Sequence, residues 1–283
     1  MRIGHELIVE RIKQDFAAGR GHHAHLFVGP KHVGKTRSAL DLALHLQGFS
    51  GEAALSNQLL NGAHADTILL LDTGEHLSIA EIRTLIERSG QSHDGKHLIV
   101  VLENLGRMRP EAMNALLKTL EEPGEGTVFF LTAHHEDDVL PTIRSRCQVH
   151  QFHTVPENAM QSLVANHPQA EALKMYAMGR PGKIHRLLED GDYFQSHLDM
   201  HQDWMQFLDK LSVASVYNLV RRHEKSERLS DFFEIGIHLL RGQLLQGVDV
   251  SHLVERLEEA KMDLEKNVNV KLTLETALLT FVP

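Results

Sequence analysis

The fold of this chain is limited most tightly by an eight-residue segment, Gly29-Pro30-Lys31-His32-Val33-Gly34-Lys35-Thr36. The segment satisfies the pattern G-x-x-x-x-G-K-[ST] without a mismatch, and it lies between a strand-like run, residues 24–28, and a helical pattern, residues 35–46. Glycines let such a loop turn until its backbone N–H groups converge on phosphate oxygens, and the N-terminus of the next helix favours an anion. The pattern therefore predicts a nucleotide-binding loop.

Four residues of this loop have predicted roles in holding a nucleotide. Gly29 and Gly34 shape the loop, Lys35 is a cation able to reach the β- and γ-phosphates, and Thr36 offers a hydroxyl ligand to Mg²⁺. We therefore expect ATP and Mg²⁺ as cofactors. A loop that keeps the pattern but no longer binds nucleotide is the alternative.

Strand-like and helix-like segments alternate over the first half of the chain, which is typical of an α/β domain with a parallel sheet. The predicted strands cover residues 24–28, 67–71, 97–102 and 127–132, and the predicted helices cover residues 35–46, 79–88 and 110–121. After Phe152 the strand-like runs end, and helical patterns extend to Thr280. Shifts in composition near residues 155 and 192 predict the domain boundaries.

The composition excludes several classes of protein. A formal net charge of −9 over 283 residues argues against a chain that coats nucleic acid through its overall charge. No apolar run approaches the roughly 18 residues that a membrane-spanning helix needs, and no secretory signal is recognisable, so a cytoplasmic protein without membrane association is expected. A single cysteine, Cys147, excludes an intrachain disulfide and any zinc site that needs two thiolates. The 21 histidines are scattered, which favours surface positions over a metal site.

A nucleotide-hydrolysing loop of this kind also needs a carboxylate at the end of a neighbouring strand, where it holds Mg²⁺ and polarises water. The third predicted strand ends in Glu103, which is therefore the predicted metal ligand and catalytic carboxylate. The next residue is Asn104, whose neutral amide cannot act as a base. Magnesium binding at Glu103 is expected, and hydrolysis of ATP by this chain alone is left open.

Four segments spread over nearly the whole chain resemble segments of one known family: residues 23–30, 107–123, 140–148 and 267–275. Together they resemble the bacterial DNA polymerase III clamp-loader AAA+ subunits, and the third contains their motif as Ser145-Arg146-Cys147. The likeness is closest to the delta-prime group, with the gamma/tau motor group next. It implies a RecA-like AAA+ domain (1–155), a small helical lid (156–192) and an all-α collar that joins a pentamer (193–283).

The resemblance also implies site residues and partners. Arg146 would be an arginine finger that acts on ATP held by a neighbouring subunit, a role that suits a permanently charged planar fork. Thr132 and Lys183 would lie near the two sensor positions that contact nucleotide. The implied partners are the gamma/tau and delta subunits, the sliding clamp and, through the assembled complex, primer–template DNA. The alternative for Arg146 is a structural role, in which it caps the edge of the sheet or pairs with a carboxylate.

Two departures from the family distinguish the functional hypotheses. Residues 48–63 lack the family's four-cysteine module, so no zinc is expected, and Glu103-Asn104 replaces an acidic pair that begins with Asp. The second departure favours a delta-prime-like subunit of the DNA polymerase holoenzyme. Its own ATPase would be weak or absent, and it would supply Arg146 to a neighbouring ATPase while the clamp is loaded onto primed DNA. A gamma/tau-like ATPase motor is the first alternative, and an unrelated P-loop enzyme is the second.

Overall fold

A computed structural model of the chain describes residues 3–49, 65–73, 77–89, 96–264 and 268–282. The chain divides into two compact units, Met1–Ala170 with Gly179–Lys183, and Glu171–Met178 with Ile184–Pro283. The three-domain division at residues 155 and 192 stays a prediction. Most of the segment 48–63, where the zinc module is missing, lies outside the described residues.

The first unit contains a five-stranded parallel sheet with the strand order β2-β3-β4-β1-β5. In chain order the strands are β1 Ala24–Val28, β2 Thr67–Leu70, β3 Leu98–Leu102, β4 Thr127–Ala133 and β5 Gln148–Gln151. The predicted α/β domain with a parallel sheet is thus confirmed. The four predicted strands are present within one residue of their expected ends.

Helices cover both faces of this sheet. They are α1 Glu6–Ala17, α2 Lys35–Leu46, α3 Ile79–Ser89, α4 Pro110–Glu121 and the short α5 Pro141–Arg144. Successive strand residues point to opposite faces, so that Phe27 and Phe130 pack with α1 and α2, whereas Leu26 and Phe129 pack with α3 and α4. Since both faces are covered, β1, β3 and β4 are buried at every residue. Their sequences are apolar except for His25 in β1 and for Thr127 and Thr132 in β4.

The edge strand β5 was not predicted from the sequence. Its residues Gln-Val-His-Gln alternate between half-buried and exposed, and Val149 is 38% exposed. A polar strand of this kind has one partner and a solvated side, so it lacks the apolar run that marks an interior strand. It pairs in parallel with β1, from His25 opposite Gln148 to Val28 opposite Gln151.

Helices occupy the described chain after β5, as predicted. They are α6 Gln161–Val164, α7 Ala170–Ala177, α8 Pro181–Glu189, α9 Gly191–Asp209, α10 Val213–His223, α11 Leu229–Leu245, α12 Ser251–Leu264 and α13 Val270–Leu279. Helices α9 to α13 build the core of the second unit around Trp204, whose indole N–H donates to the Phe232 carbonyl at 2.8 Å. Among the described helices none is long and apolar enough to cross a membrane.

Candidate functional site

The loop between β1 and α2 holds backbone conformations that favour glycine. Gly29 has a φ of 150° and Gly34 a φ of 101°. A Cβ atom at Gly29 would lie 1.9 Å from the backbone oxygen of Phe152, so this position has room only for glycine. At Gly34 a Cβ atom would meet nothing within 4 Å, and the requirement there comes from the φ angle. The loop therefore needs glycine at both predicted positions, for different reasons.

Lys35 is the first residue of α2, and its side chain is buried against the loop. Its Nζ donates hydrogen bonds to the carbonyl oxygens of Gly29 at 2.6 Å and Pro30 at 2.7 Å. Burial lowers the pKa of Lys35 to about 8, the Glu103 carboxylate opposes this shift, and the Lys31 ammonium adds to it. The buried cation is thus incompletely compensated, and an anion bound at the loop would stabilise its charged form.

Thr36 and Glu103, the two predicted magnesium ligands, lie in direct contact. The Thr36 hydroxyl donates to Glu103 Oε1 at 2.5 Å, and Glu103 Oε2 accepts from the Asp72 backbone N–H at 2.9 Å. A hydroxyl and a carboxylate oxygen are the hard donors that Mg²⁺ prefers. With the adjacent Lys35, this donor set fits a magnesium–nucleotide complex. Glu103 reaches the loop because β3 ends at Leu102, at the same sheet edge where β1 ends.

Asn104 directs its amide to a neighbouring carboxylate. Its Nδ2 donates to Asp72 Oδ2 at 2.6 Å, and the other Asp72 oxygen pairs with the buried Arg107 guanidinium at 2.8 Å. Asn104 itself has a left-handed backbone with a φ of 58°. Asp72 was not predicted from the sequence, although its position just after β2 places it at the end of the sheet where the carboxyl ends of the strands lie.

Two residues at or just after the end of β4 lie near the loop, of which Thr132 was predicted from the sequence and His134 was not. Thr132 is buried, and its hydroxyl accepts the Asn104 backbone N–H at 2.9 Å. Both ring nitrogens of His134 are buried and have no hydrogen-bond partner among the described residues. Burial lowers the pKa of His134 to about 4, and the positive charges of Lys35 and Lys31 add to this shift. His134 is therefore a neutral ring beside the loop, with an N–H that can donate to an anion.

Lys183 lies near the loop because the start of α8 contacts it. The backbone N–H of Gly182 donates to the His32 carbonyl at 2.8 Å. The Lys183 side chain is buried, with 1% of its surface exposed. The structure thus brings the predicted residues Gly29, Gly34, Lys35, Thr36, Glu103, Thr132 and Lys183 to one region of the first unit.

Arg146 lies at the other end of the strands from the loop, where the amino ends of the parallel strands meet; this end is termed the amino edge of the sheet, and the loop's end the carboxyl edge. Arg146 follows α5 and precedes Gln148, which pairs with His25 on β1, whereas the loop begins four residues beyond His25, at Gly29. At about 3.3 Å per residue these four residues alone span about 13 Å. In a parallel sheet all amino ends share one edge and all carboxyl ends share the other. Arg146 is therefore separated from the loop of its own chain by the length of the strands.

The guanidinium of Arg146 has partners within its own chain. One terminal nitrogen donates to the Thr142 carbonyl at 2.6 Å, and the other forms an ion pair with Glu121 at the end of α4. The neighbouring thiol is inert, because burial raises the pKa of Cys147 to about 12. Within the described ranges, no group of three or more His, Cys, Asp or Glu side chains could hold a metal ion.

Comparison with known proteins connects these features to one family. A family model described as DNA polymerase III, delta subunit, matches residues 4–156. DNA polymerase III subunit delta-prime of Escherichia coli is 28% identical over 292 residues, covering 88% of this chain and 86% of that protein. The delta-prime subunit of Pseudomonas aeruginosa is 35% identical over 141 residues, covering 46% and 43%.

Gamma/tau subunits are also similar to this chain. The DNA polymerase III subunit gamma/tau of Mycobacterium bovis is 30% identical over 172 residues, which cover 58% of this chain and 30% of that protein. The chain thus spans less than a third of the length of this relative. A gamma subunit-related protein from Thermotoga maritima shares the fold, with a TM-score of 0.56, 18% identity and coverage of 98% of this chain and 97% of that chain.

Proposed function

Because the chain belongs to the DNA polymerase III delta subunit family, as a clamp-loader AAA+ subunit like delta-prime, we propose that it binds Mg²⁺–ATP and supplies Arg146 to an ATPase subunit beside it. The proposed occasion is the loading of the sliding clamp onto primed DNA in the cytoplasm. The proposed partners are the gamma/tau and delta subunits, the clamp, and primer–template DNA through the assembled complex.

The contacts around the Gly29–Thr36 loop support nucleotide binding. The loop backbone and Lys35 would hold the phosphates, and Thr36 with Glu103 would hold Mg²⁺. Bound ATP would supply the negative charge that the buried, incompletely compensated Lys35 favours. Thr132 would act through the Asn104 backbone that it fixes, and Lys183 would approach from the start of α8.

The position of Arg146 is the observation that carries the finger assignment. A cation at the amino edge of the sheet cannot serve the loop at the carboxyl edge of the same chain, so its action on a phosphate needs a second subunit. There its fixed charge and planar fork would stabilise the charge that develops on a phosphoryl group during transfer.

Weak hydrolysis by this chain is supported by Asn104. A side chain that activates the attacking water as a general base must be able to accept a proton. The Asn104 amide is neutral and donates a hydrogen bond to Asp72. We therefore propose that the chain's own turnover is slow or absent. Robust turnover by the purified chain that disappears in Glu103→Gln would instead favour the motor alternative.

Steady-state ATP turnover of the reconstituted clamp loader tests the finger. The Arg146→Ala variant should lower clamp- and DNA-stimulated turnover by roughly 10³-fold, and Arg146→Lys should restore little of it, because a point charge lacks the fork. Nucleotide binding by the isolated chain, measured by calorimetry, should be unchanged. Arg144→Ala is the matched control, since Arg144 lies two residues away and pairs with Glu136. An assembled Arg146→Ala complex, verified by gel filtration, that turns over ATP at the unmodified rate would refute the assignment.

A further inference from the structure

The carboxylate that pairs with Arg146 occupies an electrostatically unfavourable place. Glu121 is the last residue of α4, where the helix dipole presents its negative end, so a negative side chain there is disfavoured. The adjacent Glu122 is exposed and follows the helix. Of these two carboxylates, Glu121 is the one whose oxygen meets the guanidinium of Arg146. The pairing compensates a charge that the helix alone opposes.

The contacts of Arg146 hold its guanidinium at both ends. One terminal nitrogen donates to the Thr142 carbonyl at 2.6 Å and lies 3.3 Å from the Ser145 hydroxyl, and the other terminal nitrogen donates to Glu121. Thr142 and Ser145 belong to the short segment that carries Arg146, whereas Glu121 belongs to a different helix. Glu121 is therefore the contact that orients the fork relative to the rest of the domain.

We propose that Glu121 is a positioning residue for Arg146, which it holds in one orientation at the amino edge of the sheet before a neighbouring subunit's nucleotide arrives. This inference rests on the proposed finger role of Arg146. An arginine side chain has large rotamer freedom, and fixing its planar fork in advance removes an ordering cost that would otherwise fall in the catalytic step. Glu121 thereby influences turnover without touching nucleotide.

The pair contributes little to the stability of the fold. The side chains of Arg146 and Glu121 are 31% and 48% exposed, and solvent screens ion pairs of that kind. Changes at Glu121 should therefore leave the chain folded and able to assemble. That separates a positioning role from a structural one.

Four variants in the reconstituted clamp loader test the inference. Glu121→Ala should lower the kcat for ATP about tenfold with KM unchanged, because a misplaced finger weakens the transition state and not substrate binding. Glu121→Gln keeps an acceptor oxygen and should stay within about threefold of the unmodified kcat. Glu122→Ala is the matched control and should have no effect. In the Arg146→Ala background, Glu121→Ala should cause no further loss, since its effect acts through the guanidinium.

The outcomes separate this inference from the function on which it rests. If Arg146→Ala leaves turnover unchanged, the finger assignment itself is wrong. If Arg146→Ala lowers turnover and Glu121→Ala does not, the positioning role alone is overturned. The same holds if Glu121→Gln is as slow as Glu121→Ala, or if Glu121→Ala lowers the residual turnover of Arg146→Ala by its full factor. Circular dichroism and gel filtration verify folding and assembly for every variant.

Discussion

Raising the pH from 7 to 9 should weaken nucleotide binding about tenfold through Lys35 alone. Burial lowers the pKa of this lysine to about 8, so about nine tenths of the free protein carries the ammonium at pH 7 and about one tenth at pH 9. Bound polyphosphate favours the ammonium and raises its pKa, so affinity falls as the pH rises through 8. A lysine with the ordinary pKa would lose only about 3% of its charge over the same range.

Calorimetric titration with Mg²⁺–ADP at pH 7, 8 and 9 measures this effect. At pH 9, repeating the titration in buffers of different ionisation enthalpy should show uptake of nearly one proton per nucleotide bound. The Lys35→Met variant should bind weakly at all three pH values, and its difference in affinity from the unmodified protein should be about tenfold smaller at pH 9 than at pH 7. The exposed Lys31 of the same loop provides the control, because Lys31→Met should keep the pH dependence.

Two results would contradict this reasoning. A dissociation constant that is equal at pH 7 and pH 9 would show that Lys35 keeps its proton despite burial, or that it does not contact the nucleotide. A pH dependence that persists in Lys35→Met would assign the titration to another group. Both results can be measured with the isolated chain, without any partner subunit.

Three further predictions concern the fold. Gly29→Ala should destabilise the first unit by more than about 2 kcal/mol, because a Cβ atom there clashes with Phe152 and the φ angle is positive. Gly34→Ala should cost about 1 kcal/mol, because only its φ angle is unfavourable. Thermal unfolding followed by far-UV circular dichroism measures both variants. Burial lowers the pKa of His25 to about 3, so its contribution to stability is present above pH 6.5 and lost below it. Between pH 7.5 and 5.5 the part of this loss that His25 causes should reach about 1.4 kcal/mol, so the fall in amide-exchange protection of β1, corrected for intrinsic rates, should be about tenfold smaller in His25→Leu than in the unmodified chain. A Cβ atom at Gly236 would lie 2.4 Å from the Trp204 ring, so Gly236→Ala should cost about 1–3 kcal/mol in the second unit, read by the fluorescence of this single tryptophan, with the first unit unchanged.

Elements with strong local signals were predictable from the sequence. Helix α2 has its predicted limits because a phosphate-loop glycine precedes it, and α4 begins at Pro110, which suits a first helical turn. The interior strands were predictable because helices cover both of their faces. The edge strand β5 was not predictable, because it pairs with one strand and its other side faces solvent. Its polar sequence is therefore the same as that of many loops.

The residues of the candidate site that directly follow a strand were predictable from the sequence. Glu103 was predicted as a magnesium ligand because it ends a strand that neighbours the loop. The same rule applied to β2 and β4 would have indicated Asp72 and His134. The pairing of Arg146 with Glu121 depends on how α4 and α5 pack, and no periodicity or spacing in the sequence encodes it.

The nucleotide loop and Arg146 lie at opposite ends of the strands of one subunit. An assembly in which each Arg146 faces the loop of the next subunit therefore has a direction. A chain of this design cannot complete a site with itself, and contacts that join a cation edge to a loop edge are head-to-tail rather than two-fold symmetric. In any open row of these chains, one terminal member offers a cation to its neighbour and receives none for its own loop. Selection on that member would preserve Arg146 while tolerating a neutral Asn104. The weak or absent hydrolysis proposed for this chain is then compatible with full function of the row.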